Sequence, residues 1–144
     1  MPRPIRVAIS GGFDPIHVGH IELIQEAAKL GHRLIVIVNK DVFLIRKKGY
    51  VFMPLAERKM ILESIKSVDE VVVAVDEDES VARTIELIKP DIFANGGDRT
   101  EEGANTKERL ACDRIGCKQI FGLGAKIQSS SELVRKSLSW RQNA

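Results

Sequence analysis

The stretch Ile5-Arg6-Val7-Ala8-Ile9-Ser10-Gly11-Gly12-Phe13-Asp14-Pro15-Ile16-His17-Val18-Gly19-His20 decides the fold. Its first five residues form an apolar, β-branched run that predicts a strand, and Ser10-Gly11-Gly12 ends it. From about Val18, apolar residues recur at Ile21, Ile24, Ala27, Ala28 and Leu30, the spacing of one helical face, with Gly31 expected as the C-cap. A strand that hands over to a helix through a glycine-bearing turn is the first unit of a parallel α/β sheet.

The alternation continues outward from that unit. Leu34 to Val38 is apolar on both faces, which suits an interior parallel strand. Residues 39 to 53 are polar and basic, with Gly49 inside them, and read as a loop holding one helical turn. Pro54 is expected at the first position of a helix that Leu55, Met60, Ile61, Leu62 and Ile65 continue. Val71 to Val75 predicts a third strand, Ser80 to Ile88 a third helix stopped before Pro90, and Asp91 to Asn95 a fourth strand opening into Gly96-Gly97-Asp98. A helix from about Thr106 to Arg114, a strand from Lys118 to Phe121 and a helix after Ser129 complete the pattern, with Ser129 and Glu132 at capping-box spacing. The expected architecture is a single α/β domain over residues 1–144, a Rossmann-like, doubly wound sheet of five parallel strands. Ligands of such sheets lie at the carboxyl ends of the strands, where the strand order reverses.

Composition narrows the function classes. The chain has 144 residues, 44% hydrophobic and 29% charged, with a net charge of +2, so no global field favours nucleic acid or an anionic membrane. The longest apolar runs, such as Leu34 to Val38, are too short to span a bilayer, and the N-terminus carries no secretory apolar core. Cys112 and Cys117 fit no zinc spacing and are expected as reduced thiols, in keeping with a cytoplasmic protein. No protein-held metal is expected.

The chemistry lies in residues 11–20, between the first strand and the first helix. Glycines let a backbone approach a phosphate closely, and a helix start offers free N–H groups and the positive end of its dipole. His17 and His20 are three apart at that start, so both rings can face one point, and Gly19 between them removes a side chain from the approach. Two imidazoles aimed at one anion make a phosphate clamp. No Gly-Lys-Ser/Thr follows and no G-x-G-x-x-G is present, so neither a Walker loop nor a dinucleotide fingerprint accounts for the segment. The competing structural account is that one histidine caps the helix and the other packs in the core.

His17-Val18-Gly19-His20, preceded by Gly12-Phe13-Asp14, resembles the H-x-G-H signature of the nucleotidylyltransferase, or cytidylyltransferase-like, superfamily. Further segments resemble it in the same order along the chain. Asn39-Lys40-Asp41 is similar to the V-N-x-D of its heptose-1-phosphate adenylyltransferase branch. Lys47, or its neighbour Lys48, stands where members carry a phosphate-binding lysine. Pro54-Leu55-Ala56-Glu57-Arg58 is similar to the arginine-bearing helix shared with the glycerol-3-phosphate cytidylyltransferases. Gly96-Gly97-Asp98 matches the G-G-D loop, and Ser129-Ser130-Ser131 the serine-rich helix start that holds the triphosphate. Three features depart: Gly12 precedes Phe13 where many relatives carry Thr or Ser, Gly124-Ala125-Lys126-Ile127 lacks the arginine of the cytidylyl branch, and Gln128 stands where relatives carry an apolar residue.

The resemblance implies transfer of AMP or CMP from ATP or CTP to a phosphorylated small molecule, a sugar or polyol phosphate, with release of pyrophosphate. It implies His17, His20 and Lys47 as catalytic residues. Gly12, Phe13, Gly19, Arg58, Gly97, Asp98, Ser129, Ser130 and Ser131 would bind the nucleotide, and Asp14, Asp41 and Lys48 the acceptor. It also implies Mg²⁺ held mainly by the triphosphate, and a homodimer. Taken singly, these positions have plainer accounts: Lys47 and Lys48 as solvated surface, Arg58 as an exposed ion-pair partner, Asp98 as a turn residue, Ser129 as an N-cap. The rival from another class is a nucleotide-binding regulatory module that turns nothing over.

Overall fold

The computed structural model describes residues 3–97, 100–124 and 128–143. Their elements run β1 (Arg6–Gly11), α1 (Val18–Ala28), β2 (Arg33–Val38), α2 (Asp41–Lys48), α3 (Leu55–Glu63), β3 (Glu70–Val73), α4 (Ala82–Ile88), β4 (Ile92–Gly96), α5 (Thr106–Ile115), β5 (Lys118–Leu123) and α6 (Ser130–Asn143). The strands form one sheet in the order β3-β2-β1-β4-β5, every pair parallel. No helix among the described residues is long and apolar enough to cross a membrane.

Period-two alternation along the central strands sorts the core into two layers. Val7, Ile9, Leu34, Val36 and Val38 face one side, packed with Ile24 and Ala27 of α1 and Leu62 of α3. Ala8, Ile35, Ile37 and Phe93 face the other, packed with Ile85 of α4 and Ala111 and Cys112 of α5. Burying each large aliphatic chain contributes about 1.5–3 kcal/mol, so both layers are needed to hold the sheet. This is the expected doubly wound arrangement.

The order reverses between β1 and β4, and the ladders show how a crevice opens there. β1 and β2 stay in register to Gly11↔Val38, whereas β1 and β4 pair at Val7↔Ile92 and Ala8↔Phe93. β1 and β4 have no pairing beyond Ala8↔Phe93, and Ser10 and Gly11 of β1 line a crevice there together with Asn95 and Gly96 of β4.

Three local expectations are corrected. The polar stretch 39–53 contains a full two-turn helix, α2, closed by Gly49 at φ 86 and carrying Arg46, Lys47 and Lys48 in its last turn, where cations complement the helix dipole. Its apolar residues Val42 and Ile45 are exposed and Leu44 is buried, so no clean amphipathic stripe announces it. Gly31 does not cap α1, because right-handed Lys29 does. A Cβ on Gly31 would lie 2.8 Å from the Ile5 carbonyl oxygen and 2.8 Å from Val7 Cγ2, so this glycine serves close packing. Pro54 stands just before α3 at ψ 155, as its N-cap.

Candidate active site

The two histidines meet at the start of α1 through the backbone. His17 is the N-cap in extended conformation, and its Nδ1 accepts the Gly19 N–H at 3.1 Å. His20 Nδ1 accepts the His17 N–H at 3.1 Å. The pair forms a capping box with imidazoles in place of the usual hydroxyl and carboxylate. Because each Nδ1 is an acceptor, each neutral ring carries its proton on Nε2, which remains as a donor for an anion. The rings stack with centroids 3.8 Å apart, and Phe13 meets His20 edge-on at 4.9 Å. Phe13 is buried at φ 52, a left-handed backbone that turns its ring beneath His20. The plainer account holds in part: both histidines cap the helix, and doing so aims them.

Burial pushes His20 down to about 3, with His17 and Lys48 acting in the same direction. Burial lowers His17 as well. Near neutrality both rings are therefore uncharged N–H donors, and positive charge at the site comes from lysine. Gly19 is required by the box itself, since a Cβ there would lie 2.9 Å from His17 Cε1.

The crevice has two lobes. One, of about 310 Å³, is lined by His17, Gly19, His20, Lys47, Gly97, Gln128, Ser129 and Ser130. The other, of about 300 Å³, is lined by Ser10, Gly12, Asn39, Phe43, Glu79, Asn95 and Glu108, among others. His20, Lys47, Leu23 and Gly96 border both. A larger hollow of about 580 Å³ lies apart, between the end of α2 and the start of α5. Its walls are occupied with each other: Lys107 pairs with Asp78 at 2.8 Å, and Arg46 donates to the Glu77 carbonyl at 2.7 Å. The histidine crevice, with donors turned outward, is the better site despite its smaller volume.

Several expected residues lie in the frame of the crevice instead of on its wall. Arg58 is fully buried: Nε donates to Met53 O (2.9 Å), Nη1 to Gly12 O and Asn39 O (2.8 Å each), and Nη2 to Asp41 Oδ1 (2.6 Å). It is neither an exposed ion-pair partner nor a residue lining either lobe. Asp14 is buried too, its carboxylate accepting the N–H of Phe52 (2.7 Å) and of Met53 (2.6 Å). Lys48 donates to Asp14 O at 2.6 Å and lies 3.6 Å from its carboxylate. Of the two lysines, then, Lys48 is committed to the frame, while Lys47 is exposed and lines both lobes. Ser131 is exposed outside the crevice wall. Asp98 and the segment Ala125-Lys126-Ile127 lie outside the described residues.

Sequence reasoning did not single out Glu79, Asn95 and Glu108. Asn95 could have been found from its place at the end of β4, next to the reversal. Glu79 and Glu108 reach the second lobe only through the packing of the β3–α4 loop on α5, where Glu108 accepts the Val81 N–H at 3.0 Å.

Comparison with known proteins gives concordant results. A family model described as cytidylyltransferase-like matches residues 8–136. The chain is 33% identical over 141 residues to the FAD synthase of Thermococcus sibiricus, covering 93% of each protein. It is 40% identical over 125 residues to the bifunctional protein HldE of Hahella chejuensis, covering 85% of this chain and 24% of that protein. The chain thus spans about a quarter of that relative's length. Among solved structures, a lipopolysaccharide core biosynthesis protein from Thermoplasma volcanium superposes with a TM-score of 0.73 at 26% identity, over 85% of this chain and 99% of that one.

Proposed function

The chain belongs to the cytidylyltransferase-like family and is a nucleotidyltransferase, and from that premise we propose that it transfers AMP from ATP to a phosphorylated small molecule with release of pyrophosphate. One observation carries the reading: His20 and Lys47 stand where the two lobes join, the place a phosphorus atom must occupy to be passed from one ligand to the other.

In the proposed reaction an acceptor phosphate oxygen attacks the α-phosphorus, a new P–O bond forms, and the bond to the β-phosphate oxygen breaks. The leaving pyrophosphate takes that electron pair. No protein nucleophile is needed, so catalysis is positioning plus stabilisation of growing negative charge. The Nε2–H groups of His17 and His20 donate to phosphate oxygens, already oriented by the Nδ1 acceptors behind them. Lys47 neutralises charge from the end of α2, and the start of α6 receives the terminal phosphates. The first lobe offers N–H, hydroxyl and ammonium donors, with no carboxylate among its described lining residues, so a Mg²⁺ ion would be held by the phosphate oxygens themselves. Bound there, it would neutralise the phosphates and the departing pyrophosphate.

The acceptor proposed for the second lobe is a sugar or polyol phosphate, because Ser10, Asn39, Glu79, Asn95 and Glu108 supply partners for hydroxyl groups. A second reading, flavin mononucleotide as acceptor, is supported by the end-to-end match to a FAD synthase. We propose a cytoplasmic homodimer, a setting that suits the free thiols of Cys112 and Cys117. Light scattering tests the dimer.

A pyrophosphate-release screen of ATP and CTP with Mg²⁺, against sugar phosphates, polyol phosphates and flavin mononucleotide, tests the function. Release with ATP and one acceptor class is the expected result. Saturable ATP binding with no release against any acceptor would favour the regulatory module.

A further inference from the structure

Gln128 stands on the wall of the first lobe, two residues before α6 begins, at a position where the family's pattern is apolar. Its carboxamide is oriented by one hydrogen bond: Oε1 accepts the Ser129 N–H at 3.0 Å. No group among the described residues accepts from its Nε2, so two N–H donors remain at the crevice wall.

The rest of this helix entrance is also donor-rich. The Glu132 N–H goes to Ser129 Oγ at 3.4 Å, and the Leu133 N–H to Ser129 O at 3.0 Å. Ser130 Oγ donates to the Pro15 carbonyl at 2.8 Å, tying α6 to the loop that leads into His17. The N–H groups of Ser130 and Ser131 belong to the first helical turn and have no partner within the helix. The free Gln128 amide N–H groups and the first-turn backbone N–H groups make this wall rich in donors, which complements a phosphate oxygen, a group that only accepts.

We infer that Gln128 binds a terminal phosphate of the triphosphate through Nε2, while Oε1 keeps its hold on Ser129. This deepens the function proposed above and rests on it. It also gives the departure from the apolar pattern a purpose, supplying a neutral donor near the segment where the cytidylyl branch carries an arginine.

The test is calorimetric binding of ATP, AMP and inorganic tripolyphosphate to the full chain and to Gln128→Leu and Gln128→Glu, with circular dichroism melts alongside. Gln128→Leu should weaken ATP and tripolyphosphate about tenfold and leave AMP unchanged, the scale of one hydrogen bond to a charged group. Gln128→Glu keeps an acceptor for the Ser129 N–H but exchanges the donors for a negative charge, so it should weaken both more than Gln128→Leu does. A Gln128→Glu variant that binds tripolyphosphate like the unmodified chain would reduce Gln128 to a helix cap and overturn the inference alone. Equal weakening of AMP and ATP would do the same. An unmodified chain that binds neither ATP nor tripolyphosphate would overturn the proposed function together with it.

Discussion

Two groups of polar side chains meet at the carboxyl ends of β1 and β2, and they use their hydrogen-bonding atoms in opposite ways. The frame (Arg58, Asp14, Asp41, Lys48) turns its charges inward onto backbone: Arg58 holds three carbonyl oxygens, and Asp14 holds two N–H groups. In the rim, His17 and His20 engage the backbone through Nδ1 and leave their Nε2–H groups toward the crevice, which exposed Lys47 also lines. Both groups carry chemistry-bearing residue types close together in the sequence. Arg58 and Asp14 are buried and Lys47 is exposed, and under the proposed function that difference separates stability from turnover.

The sharpest break of that contrast is Arg58→Met. Removing the buried guanidinium orphans three carbonyls and leaves the half-exposed Asp41 without its partner, so a loss of about 3–5 kcal/mol is expected in urea unfolding, with any surviving folded fraction still binding ATP. Next is His20→Ala, which should lower pyrophosphate release by about 10²–10³ while the fold persists. Turnover near that of the unmodified chain would remove His20 from the rim. Its helix-capping role predicts a smaller accompanying stability loss of about 1 kcal/mol.

A third test uses pH. His20 is held near 3 in the folded chain, below its ordinary value, so the unfolded chain takes up the proton first. The stability associated with neutral His20 is present above about pH 6.5 and is lost as pH falls toward 3, amounting to about 2 kcal/mol by pH 5. Unfolding curves should show this as a steeper loss in the unmodified chain than in His20→Asn over that interval. Parallel curves would mean that the ring is not desolvated. The smallest effect comes from splitting the lysine pair. Lys48→Gln should cost about 1.5 kcal/mol of stability through its bonds to Asp14, whereas Lys47→Gln should lower turnover about tenfold with an unchanged melting temperature. The opposite assignment would exchange rim and frame.

The strand–helix alternation was readable because the central strands are continuous apolar runs and α1 shows clear helical spacing. α2 was not, because its polar sequence carries no apolar stripe and its formation depends on Arg58 gripping Asp41 and on Leu44 packing against Gly12. His17, His20 and Lys47 were found from spacing and order, signals that survive without coordinates. Arg58 and Asp14 were found by the same signals, yet their placement depends on burial, which a single chain of letters does not display. Glu79 and Glu108 left no signal, since they reach the crevice from elements far apart in the sequence.

The sequence by itself determined the doubly wound sheet, the candidate site at the β1–α1 junction and the family, because periodicity and ordered short motifs are properties of local chain. Only the tertiary structure decided which side chains of those motifs face the crevice and which hold it open. It also decided that Nδ1 of each imidazole accepts a backbone N–H and that burial disfavours the charged form of both rings. Both outcomes depend on desolvation and on which backbone groups come within hydrogen-bond reach, and those are set by how distant segments pack.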